Sequence, residues 1–78
     1  MFTKYYFISA RCVSKTREDY VSGTVTTKKS PTLDDLVGVA KIWVPSAESI
    51  LILSSCRLTR SDYLALKKNQ TLYKKINN

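Results

Sequence analysis

Histidine is missing altogether from this chain of 78 residues. With it goes the commonest general base and the commonest metal ligand. Nine serines are present, but none has a nucleophile-elbow context or a histidine partner. A serine–lysine pair is left as a minor option, and the expectation is a protein that is not an enzyme. Glycine and proline number two each, too few for whole-chain disorder. Neither glycine opens a phosphate-cradling loop. Only two cysteines occur, Cys12 and Cys56, and they form no CxxC. Clustered metal ligands are lacking, so neither metal nor cofactor is expected. Long apolar runs are lacking too. The opening "MFTKYYFISARCVS" is broken by Ser9 and Arg11, which argues against a secretory leader or a membrane span. The expectation is a cytoplasmic protein with two free, mostly buried thiols.

Acidic residues are scarce: six against thirteen basic ones, a formal charge of +7. Residues 1–30 carry net +4, residues 31–60 net 0 and residues 61–78 net +3. Such an excess favours phosphate backbones, anionic surfaces or acidic partners, and it also keeps a small domain soluble. One short domain, residues 1–78, buries only about 60% of its unfolded surface.

Within that domain five elements are legible. "TKYYFISARCVS" (3–14) is aromatic and β-branched and reads as a strand. "DYVSGTVTTK" (19–28) alternates as a second strand, and the short polar linker makes the two a hairpin. Helix signals open at Ser30-Pro31, with Thr32 and Asp35 as a rival capping box. The spacing predicts a helix over 31–44, with Leu33, Leu36, Val37, Ala40 and Val44 as its apolar stripe. Gly38 reads as a close-packing position, and Gly23 as a bulge or a close contact. "ESILILSSCRLT" (48–59) is the strongest strand. A second helix is expected over 61–76, capped by Ser61, with Lys67, Lys68, Lys74 and Lys75 on one wet arc. "NQT" (69–71) is its weak point.

The expected fold class is α+β, a three-stranded sheet of order 2-1-3 in a β-β-α-β-α chain, with helices packed on the sheet. This layout gathers Lys4, Lys28, Lys29, Arg57 and Arg60 at one end, where the first helix also points its free N–H groups. Lys15, Arg17 and Lys41 fall at the other end. If the even positions of strand 1 face the first helix, Tyr5, Phe7 and Arg11 lie on the opposite face with Tyr20. That face needs the second helix, a second copy or stacked bases to cover it.

The stretches "KYYFISARC", "YVSGTVTT", "LDDLVGVAKIW" and "ESILILSSCRL" resemble the small orphan proteins of β-β-α-β layout that phages and other mobile elements encode. The resemblance spans about residues 4–58 and implies an accessory role, binding and redirecting a host protein. It carries over no functional residue.

Together these readings point to a non-catalytic binding domain, with DNA or RNA favoured as its partner. Candidate phosphate contacts are Lys4, Arg11, Lys28, Lys29, Arg57, Arg60, Lys67, Lys68, Lys74 and Lys75. Candidate stacking or interface residues are Tyr5, Phe7 and Tyr20. The alternative is a protein-interaction module, an inhibitor or adaptor of a host protein, as monomer or homodimer. No membrane or small-molecule substrate is expected. The phosphate preference leans on the lysine arc of the tail. If residues 61–78 are unstructured or instead add a fourth strand to the sheet, that charge map collapses and the preference for phosphate-bearing ligands goes with it.

Overall fold

The computed structural model describes residues 2–69 and 72–76. Strand β1 (Lys4–Val13) and strand β2 (Glu18–Thr27) form the expected hairpin. Its four-residue turn is closed by the Ser14 amide donating to the Arg17 carbonyl at 2.9 Å. The helix α1 (Leu33–Trp43) follows, and then β3 (Ser49–Leu58), which pairs antiparallel with the other side of β1. The rest of the chain holds α2 (Arg60–Lys68) and a short strand, β4 (Leu72–Lys75).

The sheet therefore has four strands rather than three, in the order β3-β1-β2-β4. The expected inner order survives, and β4 joins it parallel to β2. The single helix expected over 61–76 is likewise corrected to a helix and a strand. α2 ends at Lys68 with Asn69 as its C-cap, and of the weak "NQT" stretch Gln70 and Thr71 lie outside the described residues. After it, Leu72 to Lys75 find unpaired backbone along the outer side of β2, whose groups need partners.

Both helices start on the same device. Thr32 accepts from the Asp35 amide, and the Asp35 carboxylate accepts from the Thr32 amide, a complete capping box. Thr59, not Ser61, caps α2, accepting from the Asp62 amide at 3.1 Å. The sequence signal was already there: Thr32-x-x-Asp35 and Thr59-x-x-Asp62 share one spacing.

One face of the sheet packs on α1. Ile8 and Val25 meet Leu36 and Val39, with Tyr6, Trp43, Ile52 and Ile76 around them. Ala10 and Cys12 meet Ala40 and Ala47. The even positions of β1 thus point at the helix. Burial of each larger side chain contributes about 1.5–3 kcal/mol. The helix stripe is shifted from the expected one. Leu36, Val39 and Ala40 are buried, while Leu33 is exposed. Leu33 sits in the first turn, ahead of the part of α1 that crosses the sheet. Gly38 meets nothing within 4 Å, so it makes no close contact. Of the two free thiols, Cys12 is buried but Cys56 is exposed.

On the second face α2 covers only one end. Tyr63, the buried residue of α2, lies against Tyr5 with ring centroids 4.5 Å apart and against Tyr73 at 6.2 Å. Among the described residues, no helix is long and apolar enough to cross a membrane.

Candidate nucleic-acid interface

The register fixes which residues share an end. Lys4 pairs with Thr27, Tyr6 with Arg57 and Thr26 with Lys75. The start of β1, the ends of β2, β3 and β4 and the starts of both helices therefore meet at one end, the basic end. Lys4, Lys28, Lys29, Arg57, Arg60, Lys74 and Lys75 gather there. Asp34, Asp35 and Asp62 are its acidic residues, and the carboxylate of one of them is spent on capping. The Asp35 carboxylate accepts from the Thr32 amide, and Asp62 lies in the first turn of α2. The expected anion site at the start of α1 is thus filled by the chain's own carboxylate.

Strand spacing of about 4.8 Å puts the four strands across about 15 Å. Neighbouring phosphates along one strand of a duplex rise about 3.4 Å each. The basic end is therefore wide enough to meet about four of them. A small hollow of about 60 Å³ lies within it, lined by Thr3, Thr26, Thr27, Lys28, Lys75 and Ile76. No carboxylate is among these six. The Thr27 hydroxyl donates to the Lys29 carbonyl and Thr26 bonds the Tyr73 hydroxyl, so it is the lysine charge that suits the hollow to a phosphate. Sequence reasoning missed the three threonines, because nothing in their spacing sets them apart from other strand residues. Next to it a shallow groove of about 310 Å³ runs between α1 and β4, where Asp34 and Asp35 face Lys74 and Lys75.

The opposite end is internally compensated. Arg11 donates to Glu18 through Nε at 2.9 Å and through its terminal nitrogen at 3.1 Å. Arg17 binds Asp19 at 2.9 Å. The hydrogen bond from Arg11, with a further one involving Tyr20, lowers the Glu18 carboxyl to about 2, and the pairing raises Arg11. Arg11 is thus committed to a carboxylate, far from the other candidate phosphate contacts. Lys41, in the last turn of α1, donates to the Ala47 carbonyl in the loop before β3.

The tail lysines do not form one grip. Lys67 lies over two rings, 4.7 Å from the Tyr73 centroid and 5.8 Å from that of Tyr63. Lys68 ends α2. Lys74 stands opposite Val25 and Lys75 opposite Thr26, so they alternate to the two faces of the sheet. The lysine arc expected over 61–76 is corrected accordingly.

The three aromatic candidates are dispersed as well. Tyr5 is stacked under Tyr63, Phe7 is half-buried on the same face, and Tyr20 is exposed at the far end opposite Arg11. No continuous stacking platform results. Burial pushes the Cys12 thiol up, away from the reactive thiolate. Among the described residues no three potential metal-binding side chains cluster.

Compared with protein families, with curated proteins and with solved structures, the chain finds no match.

Proposed function

We propose that this is a non-catalytic binding domain that holds DNA or RNA by its phosphates at the basic end of the sheet. One observation carries the reading. Seven basic residues, scattered from position 4 to position 75, converge on one end, while the arginines of the other end are paired with carboxylates. Arg57 and Arg60 supply planar, bidentate donors, and the lysines supply point charges. Dispersed aromatics and the absence of a stacking platform favour contact by charge over readout of bases. The tail arc no longer contributes to this reading, which now rests on the end of the sheet alone.

Fluorescence anisotropy with a labelled oligonucleotide tests it. About four neutralised phosphates give a slope of log K against log salt near −3. Replacing Lys4, Arg57 and Arg60 by glutamate together abolishes binding, whereas the same change at Lys15, Arg17 and Lys41 leaves most of it. Equal losses from the two triple variants, with both still folded by circular dichroism, would reject the basic end as the site.

A further inference from the structure

The groove between α1 and β4 begins at the basic end. Lys75 and Ile76 line both it and the small hollow there, so the two are continuous. Asp34, Gly38 and Ile42 follow at i, i+4 and i+8 along its α1 wall, about 12 Å of helix. Asp34 stands at the mouth, across from Lys74 and Lys75, and Ile42 at the inner end. The volume, about 310 Å³, is that of a small ligand site.

The walls of this groove do little to hold the fold. A glycine inside a helix is costly, and close approach of another group to the backbone is a common reason for it. Within the chain nothing makes that approach at Gly38, because a Cβ there would meet nothing within 4 Å. The open space above it is the groove. Ile42 is 56% exposed, an apolar side chain left on the same wall. The charged mouth is not closed on itself either. Among the described residues no ion pair joins Asp34 to Lys74 or Lys75, whereas Asp35 is committed to its cap. The groove thus offers bare helix backbone and aliphatic walls to a flat ring, and two ammonium groups to an anion. Beside the ammonium groups it holds one carboxylate with acceptor oxygens to spare.

We propose that this groove takes one unpaired nucleotide of the bound strand and gives the domain a preference for RNA. The proposal rests on phosphate contact at the basic end and names the nucleic acid that end serves. The base lies over Gly38, between Ile42 and Ile76. Its phosphate stays at the mouth on Lys74 and Lys75. The sugar then passes Asp34, whose carboxylate accepts from the ribose 2′-hydroxyl, the group that distinguishes RNA from DNA. Deoxyribose lacks that donor and leaves Asp34 facing the phosphates with its charge alone. Aliphatic walls touch every base alike, so the sugar is read and the sequence is not.

Fluorescence anisotropy with labelled oligoadenylate and oligodeoxyadenylate of equal length tests it, since the two strands differ only in the 2′-hydroxyl. The native chain binds the ribose strand about tenfold tighter, as one hydrogen bond to a charged group allows. Asp34→Ala lowers affinity for that strand about tenfold and brings the ratio to about one. Gly38→Leu fills the groove from a helix that leucine favours. It lowers affinity for the ribose strand about tenfold while the urea midpoint stays at or above the native one. Equal affinity of the native chain for the two strands overturns the proposal, and that comparison involves no substitution. A folded Gly38→Leu chain that binds as the native one does overturns it also. Either result, with the triple variant at Lys4, Arg57 and Arg60 still abolishing binding, removes the groove and leaves the basic end as the phosphate site. A native chain that binds neither strand removes both.

Discussion

Gly23 and Gly38 show how differently one residue type is used. A Cβ on Gly23 would sit 2.6 Å from the Leu72 carbonyl oxygen and 2.7 Å from the ring of Trp43. Backbone cannot step aside as a side-chain tip can, so β4 must shift. Gly23→Ala is expected to cost about 1–3 kcal/mol. Gly38→Ala enters open space in a helix interior and should gain about 0.5–1 kcal/mol. Urea unfolding of the two variants checks both signs. Sequence spacing marked Gly23 as a bulge or a close contact without choosing, since the strand that presses on it lies 49 positions later. Glu18 supplies a pH test. Its folded pKa, about 2, lies below the ordinary 4.5. The stability it contributes is therefore complete above 4.5 and lost as pH falls towards 2. Side-chain NMR titration should find the low midpoint, and in an Arg11→Met variant the midpoint should return towards the ordinary value.

At the scale of elements, α2 and β4 stand or fall together. Tyr63 touches both Tyr5 beneath it and Tyr73 on β4, and Tyr73 bonds through its hydroxyl to Thr26 at 3.0 Å. Tyr63→Ala should cost about 3 kcal/mol. It should also loosen β4 enough to change the fluorescence of Trp43, whose indole N–H reaches the Tyr73 carbonyl. No change in emission before global unfolding would separate the two elements. β1, β2, α1 and β3 were legible because each carries its own period or caps. The tail misled because Leu72, Tyr73 and Ile76 fit a helical arc and a strand-plus-loop about equally well. Pairing with β2 decided between them, and no local pattern reports that.

For the molecule as a whole, the distribution of charge matters more than its total. The gathering of Lys4, Lys28, Lys29, Arg57 and Arg60 was readable from element order alone, because antiparallel neighbours return to the same end. The fourth strand was not readable, yet it brought Lys74 and Lys75 to that end too. Tyr5 as an open platform failed for the matching reason: element order names the face but not how far α2 reaches across it. The charge polarity gives the domain an electrical direction, so an approaching polyanion is oriented before contact.

The Thr24 hydroxyl donates to the Leu72 carbonyl across 48 positions of chain. During synthesis β2 is out of the ribosome well before its parallel neighbour exists. Loop closure of that length comes late, so for an interval both flanks of the growing domain offer bare amides to whatever strand is nearby. Until β4 pairs, the outer side of β2 is the stretch of sheet most open to a foreign strand.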